Sequence, residues 1–168
     1  ERHFVERTMP AIERGFAKSG RQRSDFEIFV EVICAVGETS EEIATAMSGG
    51  KTLIGFYGST PSYRPVLEVS GRGDLQVELN ALSKQGDWAG MASKIDEDLL
   101  RTIAVVGTPS EVATEIVRRF GHQAKRVCLY FPGYPISDGC IAQTITAIKT
   151  FFCFKQKTAY EIMSGDWS

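Results

Sequence analysis

The spacing of apolar residues along the chain predicts strands that alternate with helices. Residues 26–37, FEIFVEVICAVG, are rich in β-branched and aromatic residues, which favour strands. Thr39 follows, and Glu42 lies three residues later, which is the capping-box pattern of a helix start. We therefore predict that a strand over 26–37 leads directly into a helix.

The same order recurs in the second half of the chain. TIAVVG, residues 102–107, is a short apolar run, and Thr108, Pro109 and Glu111 after it have the pattern of a capped helix start. Apolar residues then recur at intervals of three and four, as on one helix face: Val112, Ala113, Ile116, Val117 and Phe120. A second strand and a second helix are predicted here.

Further segments complete a predicted α/β fold. Residues 8–21 have the spacing of a helix, and RVCLYF, residues 126–131, has that of a third strand. Apolar strands joined through helices are typical of parallel βα units. An insertion over about 57–101 interrupts this order, and within it residues 74–86 are predicted to be a helix capped by Asp74.

Composition and charge narrow the classes of partner. The 168 residues are 43% hydrophobic, and the formal net charge is −2 with both signs interspersed. The sequence has neither a basic stretch suited to nucleic acid nor an apolar run of membrane-spanning length, so we expect neither partner and a cytoplasmic location. The four cysteines and two histidines lack zinc-site spacing, and no metal is expected.

The segment GFYGSTPSYRPVLE, residues 55–68, carries the candidate binding residues. We predict a loop stiffened by prolines, with aromatic rings at Tyr57 and Tyr63, a hydroxyl at Ser59 and a guanidinium at Arg64. These groups suit a substrate or cofactor pocket. The alternative is a surface loop whose aromatic residues pack beneath it, and the sequence leaves both open. No catalytic acid or base is assigned.

Gly107 and Thr108 form a second candidate site, for phosphate. They precede a predicted helix, and the free N–H groups of a helix N-terminus attract anions. The alternative is that Thr108 only caps the helix.

Several segments, taken in order, resemble the luciferase-like monooxygenase superfamily, and most closely its coenzyme F420 (deazaflavin)-dependent oxidoreductases. The resemblance covers about residues 1–149. The segments that carry it are AIERGFAKSGRQRSDFEIFVEV, GFYGSTPSYRPVLE, LNALSKQGDWAGM, IDEDLLRTIAVVGTPSEVA and RRFG.

The resemblance implies a partial TIM barrel. A complete (β/α)₈ barrel typically needs ~250 residues, so residues 1–149 are expected to form its C-terminal part, about strands six to eight, with the insertion before strand seven. In a closed barrel the strand over 102–107 would lie between the other two, leaving 26–37 and 126–131 at the edges. Gly49 and Gly50 depart from the unbroken helix of the family.

The end of the chain does not continue the resemblance. FFCFKQKTAYEIMSGDWS, residues 151–168, shows neither helical nor strand spacing. We interpret residues 150–168 as a non-native tail.

The resemblance also implies an activity. The chain is expected to be a fragment, inactive alone, of an F420-dependent oxidoreductase that moves a hydride between the cofactor and an unidentified organic substrate. FMN is the alternative cofactor, in an FMN-dependent monooxygenase of the same superfamily. A non-catalytic α/β ligand-binding module is the alternative to an enzyme. The expected partner is a small-molecule substrate, and a homo-oligomer is an open expectation.

Overall fold

The chain forms a three-stranded parallel sheet with helices on both faces. The structure, a computed structural model, describes the backbone of residues 1–164 and the side chains of residues 1–151. In chain order the strands and α-helices are α1 (Met9–Ser19), β1 (Phe29–Val36), α2 (Ser40–Gly58), α3 (Arg64–Glu68), α4 (Leu75–Lys84), α5 (Trp88–Ser93), α6 (Glu97–Ile103), β2 (Val105–Gly107), α7 (Pro109–Phe120), β3 (Arg126–Tyr130) and α8 (Asp138–Ser164).

The strand order is β2-β1-β3, so β1 lies in the centre. The chain passes from β1 to β2 in one direction and then from β2 past β1 to β3 in the other. Because crossovers between parallel strands are right-handed, this reversal places the two sets of connecting helices on opposite faces of the sheet. Helices α2 to α6 accordingly lie on one face, and α7 lies on the other together with α8.

Two apolar cores follow from the alternation of side chains along β1. Val30, Val32, Cys34 and Val36 point to the face that α7 covers. Ile33 points to the opposite face and packs against the second core. That core consists of buried residues from the segment α2 to α6 and from the residue that precedes β2: Ile54, Leu67, Leu79, Met91, Ile95, Leu99, Leu100 and Ala104.

Each edge of β1 is paired over part of its length. The first five residues of β1 pair with β3, and the last three pair with β2. Beyond the end of β3, the Tyr134 hydroxyl accepts a hydrogen bond from the Val36 N–H (3.0 Å) and donates one to the Cys34 carbonyl (3.1 Å). A side chain thus continues the ladder where β3 stops. Burial raises the pKa of Tyr134 to about 12, so this hydroxyl stays protonated.

An arginine on α7 fixes the junction between α6 and β2. The Arg119 guanidinium is 2.7 Å from a Glu115 carboxylate oxygen and donates to the carbonyls of Arg101, Thr102 and Ala104 at 2.8, 3.4 and 3.3 Å. These carbonyls belong to the C-terminal end of α6, where helical acceptors lack intrahelical partners. One largely buried cation therefore satisfies a helix end and ties it to α7.

The predicted helix starts are confirmed. Thr39 accepts a hydrogen bond from the Glu42 N–H, Thr108 accepts one from Glu111, and both capping boxes are complete. Residues 126–131 form β3 as predicted, apart from the last residue.

The second predicted strand is shorter than expected and lies at an edge. Thr102 and Ile103 belong to α6, so β2 begins at Val105. Arg119 holds the end of this helix, and only three residues remain to pair with β1. The expectation that 102–107 would lie between the other strands is wrong, because β3 takes the opposite edge of β1.

Three local predictions also need correction. Residues 55–68 are not an open loop, because Gly58 ends α2 and a 3₁₀ turn then leads into α3. The Asp74 side chain makes no capping hydrogen bond, since its backbone is helical rather than extended. Residues 151–164 continue α8, although the sequence shows no helical spacing of apolar residues there. The interpretation of residues 165–168 as part of a non-native tail lies outside the described residues.

Gly49 and Gly50 do not interrupt α2, and the structure shows why small residues suit these positions. A Cβ at Gly49 would collide with the carbonyl oxygen of Pro132, and one at Gly50 would lie 3.0 Å from a methyl group of Leu100. Each glycine costs the helix roughly 1 kcal/mol relative to alanine. The absence of side chains at these two positions allows α2 to pack closely against the turn after β3 and against α6.

Gly49→Ala is expected to destabilise the fold by about 1–2 kcal/mol, because the steric clash outweighs the gain in helix propensity. Urea denaturation measures the free energy of unfolding. The matched control is Gly15→Ala on α1, where an added Cβ meets nothing within 4 Å and a small gain is expected. Equal effects of the two substitutions would contradict this reading of the contact.

Tyr134→Phe is expected to cost about 1–3 kcal/mol, since it leaves the Val36 N–H and the Cys34 carbonyl without the hydroxyl that both contact. Thermal denaturation provides the measurement. Tyr63→Phe removes a hydroxyl from a side chain that is 45% exposed and is expected to change stability by less than about 0.5 kcal/mol. If Tyr134→Phe lowered stability no more than Tyr63→Phe, the two hydrogen bonds of the Tyr134 hydroxyl would be shown to be dispensable.

Glu115→Gln is expected to reduce stability near neutral pH but not in strong acid. Hydrogen bonds from Arg118 and Arg119 lower the pKa of Glu115 from 4.5 to about 2. A carboxylate with a lowered folded-state pKa stabilises the fold above its unfolded value, and the benefit is lost as the pH falls from 4.5 toward 2. Urea titrations across this range should show wild type and variant converging.

Glu97→Gln is the control for this titration, since the Glu97–Arg101 pair is at least half exposed and should contribute little at any pH. A Glu115→Gln deficit that stays constant with pH would contradict the ionic explanation.

Candidate functional site

A cavity of about 460 Å³ lies on the face of the sheet opposite α7. Volumes of this size are typical of small-molecule sites. Its walls come from β1, α2, the turn into α3, α3 itself, α6 and β3. The lining residues are Glu31, Ile33, Ile54, Tyr57, Gly58, Tyr63, Val66, Leu67, Ile103 and Tyr130.

The sheet brings a carboxylate and a phenol to this cavity. Tyr130 is the register partner of Ile33, so the two side chains share a face. Glu31 lies two residues before Ile33 on β1 and therefore points to the same side. The strand pairing thus fixes the relative position of Glu31 and Tyr130 without help from loops.

Helix α2 and the following turn supply two more phenols. The rings of Tyr57 and Tyr63 meet edge to face, with centroids 5.4 Å apart. Burial raises the pKa of Tyr57, and its neighbours Tyr130, Tyr63 and Glu31 raise it further, as does a hydrogen bond with Tyr130. Tyr57 is therefore a neutral phenol near neutral pH, and it lies within the electrostatic influence of Glu31.

The other two predicted residues of this segment do not line the cavity. Ser59 is buried, and its carbonyl accepts hydrogen bonds from the side-chain amides of Gln76 and Asn80, each at 3.0 Å. Arg64 pairs with Glu68 at 3.0 Å and with Asp74 at 3.7 Å. In this structure Ser59 joins α2 to α4, and Arg64 belongs to a surface ion cluster.

Gly107 and Thr108, the two residues proposed to bind phosphate, lie next to the carboxylate of Glu111. Gly107 ends β2, and the Thr108 N–H and hydroxyl both donate to Glu111 at 2.8 Å. These hydrogen bonds lower the pKa of Glu111, which favours its charged form. A phosphate at Gly107 and Thr108 would have to displace this negative charge, so the geometry matches the capping alternative better.

The described residues offer neither a metal centre nor a membrane-spanning helix. Within the described residues, no group of three or more His, Cys, Asp and Glu is arranged to hold a metal ion. None of the described helices combines the length and the apolar character that crossing a bilayer requires.

A second cavity of about 380 Å³ adjoins the first and shares Tyr130 with it. Phe56 and Trp88 contribute exposed rings to it, with centroids 6.3 Å apart. Phe56 also contacts Tyr57, at 5.8 Å between centroids. A row of four contacting aromatic rings therefore runs from one cavity to the other.

Sequence reasoning missed Glu31 and Tyr130. The available signal at Glu31 was a charged residue within a strand of otherwise apolar residues, which indicates a position that faces solvent or a ligand. Tyr130 carried no comparable signal, because an aromatic residue in an apolar strand is ordinary. Its role in the cavity depends on the pairing of β1 with β3.

The lining defines which ligands fit. Three phenols and several aliphatic side chains offer flat apolar contact together with hydrogen-bonding hydroxyls. Among the described residues around the first cavity there is no lysine or arginine, and Glu31 is the one charged group. The cavity therefore suits a planar, neutral or positively charged group rather than a phosphate.

Proteins similar in sequence to this chain occur in mycobacteria and in an archaeon. The chain is 44% identical to an uncharacterized protein of Mycobacterium tuberculosis over 131 residues, which are 78% of this chain and 38% of that relative. It is 27% identical over 112 residues to a 5,10-methylenetetrahydromethanopterin reductase of Archaeoglobus fulgidus, covering 62% of this chain and 32% of the reductase. The chain thus spans less than two fifths of the length of these relatives.

The fold has a counterpart among solved structures. A coenzyme F420-dependent tetrahydromethanopterin reductase from Methanopyrus kandleri superposes with a TM-score of 0.68 over 85% of this chain and 40% of the other, at 19% identity. The predicted α/β class and parallel sheet are confirmed. The family model described as luciferase-like monooxygenase matches residues 1–124. This chain therefore belongs to the luciferase-like monooxygenase family.

Proposed function

We propose that the chain is part of a deazaflavin (coenzyme F420)-dependent oxidoreductase that moves a hydride between the cofactor and a small organic substrate. Family membership and two similar reductases support this proposal, and one of these is named for its F420 dependence. The observation that locates the proposed site within this chain is the aromatic cavity beside the central strand, β1.

The residues present fit one part of such a cofactor–substrate pair. The phenols and aliphatic groups can hold a planar ring, but the cavity lacks a cation for the phosphate-bearing tail among its described lining residues. Most of the tail contacts are therefore assigned to protein outside this chain.

The chain's own residues would position the substrate. When bound, the deazaflavin would donate or accept the hydride. Tyr57 and Tyr63 would contact the face and edge of a flat substrate, and Tyr130 would fix its orientation through its hydroxyl. Ile54, Leu67 and Ile103 would exclude water from one side of it. Alignment of two reactants in this way accelerates reaction by avoiding the loss of entropy at the moment of transfer.

Cofactor titration tests the proposal. The Mycobacterium tuberculosis relative contains the matching segment within a longer chain, and we expect it to bind F420 with micromolar affinity, measured by cofactor fluorescence. The 168-residue chain is expected to bind at least about tenfold more weakly, because it spans about two fifths of that length.

Each alternative has its own outcome. Preferential binding of FMN by the relative would replace F420 with the flavin alternative. Binding of neither cofactor would favour the non-catalytic ligand-binding module. Tight binding of F420 by the 168-residue chain would show that the tail contacts do not require additional protein.

A further inference from the structure

We infer that the first cavity binds a positively charged nitrogen group, such as a protonated amine, a quaternary ammonium or an iminium, held by Glu31 and the rings of Tyr57 and Tyr63. The inference deepens the proposed function by naming a substrate class for the same site. It rests on that proposal for the cavity's biological role but not for its ligand chemistry.

Charge is the first argument. Glu31 is the one charged side chain among the described residues that line the cavity, and no ion pair of Glu31 occurs within the described part of the chain. Other carboxylates of the chain illustrate the contrast, since Glu27, four residues earlier, lies 2.9 Å from Arg126 and 3.5 Å from Lys125. The negative charge of Glu31 is therefore available to an incoming cation.

The aromatic walls are the second argument. Tyrosine faces carry negative partial charge and attract cations within about 6 Å of the ring centre. Tyr57 and Tyr63 meet edge to face and remain 36% and 45% exposed, so their ring surfaces are accessible to a ligand. A carboxylate beside aromatic faces is a combination that favours organic cations over neutral molecules of the same shape.

Neighbouring elements do not supply a competing cation. The groups that act on the Tyr57 phenol from α2, β1, β3 and the turn before α3 are Glu31, Tyr63 and Tyr130. All of them raise its pKa, and none of them is a cation. Arg64 is the nearest arginine in sequence, but its guanidinium contacts Glu68 and Asp74. An anionic ligand would therefore meet repulsion here without compensation.

The test compares choline with 3,3-dimethylbutan-1-ol, which has the same shape without the charge. Binding of each to the 168-residue chain is followed by the change in tyrosine ultraviolet absorbance. We expect millimolar affinity for choline and about fivefold weaker binding of the alcohol, as suits a solvent-accessible cation site.

Glu31→Gln keeps the size of the side chain and is expected to reduce the preference for choline to less than about twofold. Glu13→Gln on α1 removes the same charge far from the cavity and should leave the preference unchanged. Tyr63→Leu provides a second variant on an exposed position and is expected to weaken choline binding more than alcohol binding.

Equal binding of choline and the alcohol by the unmodified chain would overturn the inference, as would an undiminished preference in folded Glu31→Gln. No binding of either compound would also overturn it, because the cavity would then be closed or covered by another copy. The assay contains neither cofactor nor turnover. Its failure would therefore leave the F420 titration unaffected, and failure of that titration would leave the cation preference standing.

Discussion

The hydrogen bonding of β1 on both edges is the constraint on which the rest of the structure depends. With β2 at one edge and β3 at the other, the right-handed crossovers must lie on opposite faces, and the two apolar cores form accordingly. The Tyr134 hydroxyl completes the edge where β3 ends. Buried backbone groups without partners are costly, so this completion allows β1 to be buried at its carboxyl end.

The same arrangement leaves one part of the sheet open. On the face opposite α7, Phe29 at the start of β1 and Cys128 on β3 are exposed. Ile33, further along β1, is covered by the second core. The first cavity lies at this transition between covered and open sheet. Glu31 can therefore keep its charge near solvent while Tyr57 and Tyr130 define a wall, which is the combination that a polar ligand with an apolar body requires.

Local rules predicted the helix starts well, because a capping box is decided by residues three positions apart. Thr39 with Glu42 and Thr108 with Glu111 needed no information from elsewhere in the chain. The strand order and the cavity depended on long-range contacts. Whether residues 102–103 are strand or helix is influenced by Arg119, and whether Tyr130 reaches the site depends on its pairing with Ile33. Tyr57 and Tyr63 were predictable as binding candidates from composition, but the orientation of Arg64 toward Glu68 was not.

The three carbonyls held by Arg119 have a consequence for how selectivity could evolve in this family. Thr102 and Ala104 flank Ile103, whose side chain forms part of the cavity wall, while Arg119 belongs to α7 and is not among the lining residues of that cavity. Replacement of Arg119 would release the backbone on both sides of Ile103 and allow that wall to shift. Ligand preference can therefore drift through substitutions on α7 that never touch the ligand, and a comparison of cavity residues alone would overlook them.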